Sequence, residues 1–352
     1  MKSGKVSGNV LKRSVLGRIG KRDEEAVNGA GLGKDCAVFP SVGESSLVSC
    51  VQEAVLGGTA EASVTLAELI QKCANNLAAG GAVPLAVMIV LFLPEDSEET
   101  LLRSLMEEAE EKCRELSIEI AGGQSRITGA VSAPVGTVTG YGKPFSDNYQ
   151  NKKAEPGQDV ILSKWIGLQG TAMLAKRSRE RLRERYPAYF VEEAEGFGRY
   201  LSVLPEAAAA VKYGVCAMHD ASEGGIFGAL WELAEGAGIG LQIDMRKIPL
   251  RQETVEVCEC CNVNPYELMS GGCLVMTAED GFGLVQALAA EGIPAAAVGK
   301  VTAGKERILR NGEEIRYLNR PERDGIYGCC ERQSLLPPDG GCDRMSVKDS
   351  RP

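Results

Sequence analysis

The only histidine in this 352-residue chain stands in the run Met218-His219-Asp220-Ala221-Ser222-Glu223-Gly224-Gly225. It neighbours two carboxylates, a hydroxyl and two glycines, and Ile226, Leu230, Leu233, Ala234 and Ala237 follow at helical spacing. A turn of this composition opening a helix makes an anion site: glycine lets backbone approach a ligand closely, and the first helical N–H groups lack partners inside the helix. The imidazole adds proton transfer near neutral pH. The plainer expectation is a capped helix start, with Ser222 or Asp220 as N-cap, glycines for the turn and His219 satisfied in the interior.

The flanking pattern predicts two α/β units that would position this run. In the first, Gly31-Leu32-Gly33-Lys34-Asp35 is a turn feeding a strand through Phe39, and Leu47–Val51 is a second strand. Leu66, Leu69, Ile70, Cys73 and Leu77 form one face of a helix over Ala62–Ala79, which stops at Gly80-Gly81. A buried strand follows at Leu85–Leu93, then a helix with acids Glu98 and Glu99 in its first turn, a strand at Ile118–Ala121, a turn at Gly122-Gly123 and a strand at Val135–Tyr141. Polar residues from Asp147 to Gly157 mark a boundary. Beyond it, strands are expected at Asp159–Lys164, Leu241–Met245, Gly271–Thr277 and Ala295–Val301, and helices at Gly170–Arg185, Val191–Leu201, Glu253–Cys261 and Phe282–Glu291. A hairpin at Arg307–Tyr317 closes the unit. The domains read as 1–150 and 155–320, with 321–352 a disordered tail.

A net charge of −9 argues against a nucleic-acid binder held by phosphate contacts. The basic run Lys176–Arg185 is interleaved with glutamates and reads as a solvated helix face. No apolar run reaches a membrane-spanning length of about 20 residues, and no signal-peptide core follows the basic N-terminus, so a cytoplasmic protein is expected. Of the twelve cysteines, Cys258/Cys260/Cys261 and Cys329/Cys330 with Cys342 are clustered, without the C-x-x-C pairing of structural zinc. Cys73 and Cys113 fall on apolar faces and read as small hydrophobes.

Taken in order, Gly31–Val38, Asn75–Pro84, Ile120–Gly123, Met218–Gly225, Asn264–Gly272 and Gly299–Thr302 resemble the aminoimidazole-ribonucleotide (AIR) synthetase, or PurM-like, superfamily over about residues 1–320. That superfamily includes thiamine-monophosphate kinase, selenophosphate synthetase and the hydrogenase maturation factor HypE, and the resemblance is nearest to the HypE-like branch. It implies a two-domain α+β/α/β fold: a PurM-like N-terminal domain of mixed sheet and helices, then a PurM-like C-terminal α+β domain. It also implies a homodimer paired through the N-terminal sheets. ATP would sit near that interface with Mg²⁺ on acidic residues, for phosphoryl transfer to, or activation of, an oxygen of an unknown substrate. On this reading Asp35, His219, Asp220 and Glu223 are catalytic, and Asp35 and Asp220 hold metal. Gly33, Lys34, Asn76, Gly122, Gly123, Arg126, Gly224 and Gly225 meet the nucleotide.

The chain departs from the family's acids at four places: Lys34 in the Gly-x-Gly-Asp-Asp turn, Gln52 at a strand end, Asn76 in an Asn-Asp pair, and Gln124-Ser125-Arg126 after Gly122-Gly123. Amide oxygens can coordinate weakly; protonated Lys34 and Arg126 cannot. Two outcomes follow: loss of the usual Mg·ATP chemistry, or phosphate neutralised by Lys34 and Arg126 so that binding ignores EDTA. HypE ends in a modified cysteine, whereas Cys342 here stands ten residues before Pro352. The competing expectations are an ATP-dependent enzyme, a catalytically degenerate dimer that senses a ligand or binds a partner, and a thiol or metal protein using the cysteine clusters.

Overall fold

The computed structural model describes residues 8–19, 31–39, 46–57, 62–146 and 153–327. After helix α1 (Gly8–Ser14), the first domain runs β1 (Ala37–Phe39), β2 (Leu47–Val55), α2 (Leu66–Ala79), β3 (Ala82–Leu93), α3 (Glu99–Leu116), β4 (Glu119–Ile127) and β5 (Val135–Pro144). Its sheet has the order β1-β2-β5-β3-β4. β3 and β4 are parallel and joined through α3, and the remaining pairs are antiparallel. α2 starts at Leu66 rather than Ala62, because Thr65 and Glu68 close a reciprocal capping box ahead of it. Leu69, Ile70, Cys73 and Leu77 of α2, with Leu105 and Ala109 of α3, bury Val87, Ile89 and Leu91 of β3.

Gly122-Gly123 is not a turn. Both residues lie inside β4, where the register with β3 slips between Val87 and Met88 and leaves Ala121 as an extra residue. A Cβ on Gly123 would lie 1.8 Å from the Ile89 carbonyl oxygen, so the glycine serves strand-to-strand approach.

The second domain runs β6 (Asp159–Ser163), α4 (Leu168–Arg177), α5 (Arg179–Arg183), α6 (Ala188–Glu195), α7 (Leu204–Tyr213), β7 (Ala217–Ala221), α8 (Gly225–Ala237), β8 (Gly240–Asp244), α9 (Gln252–Cys261), β9 (Cys273–Ala278), α10 (Gly281–Ala290), β10 (Ala295–Thr302), β11 (Arg307–Asn311) and β12 (Glu314–Tyr317). The sheet order is β12-β11-β8-β10-β6-β9-β7. α8 packs Ile226, Leu230 and Leu233 on one face. α7 and α10 cover the other, joined by Ala78 and Ala79 from the end of α2. That last contact locks the two domains together.

Residues 321–327 are not a disordered tail. Asp324 and Ile326 are buried, the latter in a core with Cys258, Cys260 and Cys261. That cysteine cluster is thus core packing, and burial pushes the Cys258 thiol up to about 12. Cys329, Cys330 and Cys342 lie outside the described residues. Among the described residues no helix is long and apolar enough to cross a membrane.

Candidate functional site

His219 and Asp220 sit in a strand, not a turn. β7 is buried throughout, and its neighbours on β9 are Val275 and Leu274. Strand alternation sends the two side chains to opposite faces. His219 shares the α8 face with Ala217 and Ala221; Asp220 shares the α7/α10 face with Met218. Neither Ser222 nor Asp220 caps α8. Its N-cap is Gly224 at φ +89°, a left-handed conformation that suits glycine.

His219 is 3% exposed and bonded at both ring nitrogens: Nδ1 lies 2.8 Å from Asp35 Oδ2, and Nε2 lies 3.3 Å from Glu232 Oε2 of α8. Burial alone would discharge the ring. Asp35 and Glu232 outweigh it and raise the imidazole to about 10, so His219 is a fixed cation at neutral pH rather than a proton shuttle. Asp35 comes from the first domain. It reaches His219 because the Gly31–Gly33 turn rests on α8: Gly33 has φ +66°, and a Cβ there would lie 2.1 Å from the Glu232 carbonyl oxygen. Arg320 Nη2 stands 3.3 Å from the other Glu232 oxygen, extending a charge chain Asp35–His219–Glu232–Arg320 across the domain junction. Sequence reasoning passed over Glu232 and Arg320; Glu232 is one of two acids, with Glu235, in the otherwise apolar helix that follows Gly224.

A cavity of about 1130 Å³ lies between the domains. Gly33, Lys34, Asp35, Gln52, Asn76, His219 and Glu223 line it, as do Glu53, Lys72 and Arg320. Asp220, Gly122, Gly123, Arg126, Gly224 and Gly225 do not. Gly122 and Arg126 are exposed on β4, opposite Met88 and Phe92. The N–H of Gly224 is taken by the chain itself: it donates to Asp324 Oδ2 at 2.6 Å, while Asp324 Oδ1 accepts from Met269 and Ile326. Gly225 is packed against the backbone of Tyr266–Leu268. The helix start expected to hold phosphate is therefore closed by an internal carboxylate and by backbone.

The expected metal pair Asp35 and Asp220 is not assembled, since one faces His219 in the cavity and the other the opposite side of the sheet. Among the described residues no group of three or more His, Cys, Asp or Glu side chains could hold a metal ion. The donors present do not fit the acid-bound Mg²⁺ of the family pattern. Asn75 is structural: its side chain donates to Leu201 O at 2.7 Å and accepts from Val203 N at 3.1 Å, leaving Asn76 as the amide at the cavity.

Residues 33–143 match the AIR synthase related protein family's N-terminal domain, and residues 155–310 its C-terminal domain. Carbamoyl dehydratase HypE of Rhodobacter capsulatus is 30% identical over 205 residues, 57% of this chain. The match spans 58% of that relative, less than two thirds of its length. A structure of a HypE–HypF complex aligns at TM-score 0.69 and 18% identity, over 89% of this chain and 100% of that one. HypE in complex with ATP aligns at 0.67 and 16%, over 92% and 97%. At such identities the solved structures speak for the fold alone. With both domains matched in order and the two-domain architecture shared, the chain belongs to the AIR synthase related, PurM-like family, on its HypE-like side.

Proposed function

We propose that this chain binds ATP in the interdomain cavity, and that fixed cations rather than Mg²⁺ meet the phosphates. The observation that carries the reading is the cavity itself: it has the volume for a nucleotide, Lys34, Lys72 and Arg320 stand on its wall, and the acids beside them (Asp35, Glu53, Glu68, Glu223 and Glu232) form, among the described residues, no group of three that could hold a metal ion. Lys34 takes the place of an acid in the Gly-x-Gly turn, so a cation occupies the position the family gives to a metal ligand. Asp35 and Glu232 hold His219 between them, so the charge of the ring is balanced within the wall rather than offered to a phosphate. Asn76 and Gln52 offer amides to the nucleotide. The similar HypE solved with ATP supports the ligand class by analogy of fold.

The activity that accompanies this reading is ATP-dependent phosphoryl transfer to, or activation of, an oxygen on a substrate, slowed by the missing acids. A second reading, a ligand-sensing or partner-binding protein without turnover, is favoured by the engagement of both His219 nitrogens by carboxylates, which leaves the ring no free site for phosphate or proton transfer. Both readings take the working unit to be a homodimer paired through the open face of the first sheet. Only there would Gly122, Gly123 and Arg126 come within reach of a nucleotide, from the partner's side. Titration calorimetry with ATP and ADP, first with Mg²⁺ and then with EDTA, tests the proposal. Binding of similar affinity in both conditions is expected. A strict Mg²⁺ requirement overturns the fixed-cation reading, and no heat in either condition overturns the nucleotide reading.

A further inference from the structure

Three cysteines far apart in sequence meet under the cavity. Cys50 of β2 and Cys73 of α2 have their sulfurs 3.5 Å apart, both residues at most 7% exposed. Cys36, just ahead of β1, donates its thiol to Asn76 O at 3.0 Å and lies within hydrogen-bonding reach of Cys50. Cys36 and Cys50 line the cavity; Cys73 stands behind them. Glycines leave the sulfurs their room: a Cβ on Gly140 would lie 2.6 Å from the Cys73 sulfur, and one on Gly80 would lie 2.8 Å from that of Cys36. Buried lone cysteines serve as small hydrophobes. Three thiols from three elements, two of them facing a cavity, make a different object.

We propose that Cys50 and Cys73 form an oxidisable pair, converted to a disulfide by a hydroperoxide that enters through the cavity. The geometry orders the steps. Cys50 faces the cavity and Cys73 stands behind it, so Cys50 meets the oxidant first and, once its thiol proton is lost, is the nucleophile. The Cys50 thiolate attacks a peroxide oxygen and the O–O bond breaks. Hydroxide leaves, and the sulfur, oxidised by two electrons, becomes a sulfenic acid. The Cys73 sulfur then attacks the Cys50 sulfur: the S–S bond forms, the S–O bond breaks, and the Cys73 proton departs with the hydroxyl as water. The sulfurs must close from 3.5 Å to about 2.05 Å, a movement that draws β2 and α2 together. Cys50 precedes Gln52 by two residues and Cys73 precedes Asn76 by three, so the bond would reset the wall that carries both amides. The proposal does not depend on what the cavity binds.

The test uses the full chain, reduced, freed of thiol and treated with hydrogen peroxide in graded amounts, then denatured, alkylated and digested with trypsin. Cleavage after Lys34, Lys72 and Arg103 places Cys36 and Cys50 in one peptide and Cys73 in the next. The expected product is those two peptides joined with the loss of two hydrogen atoms and separated again by dithiothreitol. Cys36→Ser should keep the link and Cys50→Ser should abolish it. If Cys50→Ser fails to fold, fragmentation of the wild-type and Cys36→Ser peptides assigns the sulfur. Recovery of Cys50 and Cys73 as alkylated thiols while other cysteines oxidise overturns the proposal. So does a bond confined to Cys36 and Cys50, or one that persists in folded Cys50→Ser.

Discussion

The second-domain strands β6, β7 and β9 are buried along nearly their whole length, because α8 covers one face of their sheet and α7 with α10 the other. In the first domain α2 and α3 cover one face only. The opposite face carries Val51 and Met88, 59% and 41% exposed, flanking Thr139 in register, and β4 beside them is exposed from Ala121 to Ile127. Among the described residues, one sheet is covered on both faces and the other has helices on one face only. A sheet stable on its own covers its apolar face. The contrast places the doubly covered core in the second domain and the exposed sheet face in the first, with the Asp35–His219 contact joining the two domains; the dimer proposed above would use that exposed face.

The joint is where the largest effect is expected. His219→Ala leaves Asp35 and Glu232 facing each other without their cation, a loss of about 3–5 kcal/mol for breaking a buried charge set. Urea unfolding at neutral pH measures it; a change within error would make the junction incidental. The pH dependence has a defined sign. The ring is raised from its ordinary 6.5 to about 10 in the folded chain, so its stabilisation is complete below about pH 6.5 and fades as pH rises through about 10. The stability gap between wild type and His219→Gln should narrow across that window. A constant gap would mean that His219 is neutral in the folded state.

Between the sheets themselves, Leu162→Ala on the doubly covered β6 should cost about 2–5 kcal/mol, since a fully buried leucine leaves a cavity that two packed layers cannot refill. Val51→Lys on the open face should change the stability of a single chain by only about 0.5 kcal/mol. It should instead convert a dimer into a monomer in light scattering after size exclusion. Equal stability losses at the two positions would erase the distinction, and a wild type that is monomeric at every concentration would remove the association role from the first sheet.

The legible parts of this chain were those in which one period dominates. The helical stripe from Leu66 to Leu77 and the continuous apolar runs at β3 and β9 lie in the elements expected of them, because burial on one stripe or on both faces imprints itself on local sequence. His219 and Asp220 were misread because polar residues in a doubly buried strand look like a loop; the partners that hold His219 there, Asp35 184 residues back and Glu232 13 ahead, are distant or on another element. Gly122-Gly123 carries the composition of a turn but serves a bulge, a distinction that rests on the Ile89 carbonyl across the strand pair. Lys34, Gln52 and Asn76 line the cavity, and Arg126, on the edge strand, does not. The Cys36–Cys50–Cys73 group had no local signal at all, since β1, β2 and α2 bring it together only in the fold.

The smallest effect belongs to the segment that closes the second domain. Asp324 is buried beside the start of α8, and burial lifts its carboxyl from 3.8 to about 7 despite three backbone N–H groups that favour the charged form. An acid raised in this way stabilises the folded state fully below about pH 3.8, and that contribution is lost as pH passes through about 7. The cost should appear as local opening rather than global unfolding, because the segment is short and terminal to the sheet. Hydrogen exchange corrected for intrinsic rate should therefore show protection of residues 321–327 and of the Gly224 amide falling between about pH 4 and 7 and level above that. Asp324→Asn should show a flat profile over the same range, having no proton to lose. Protection that is unchanged with pH in the wild type would mean that the carboxylate stays ionised throughout, and that the three N–H groups, not burial, set its charge.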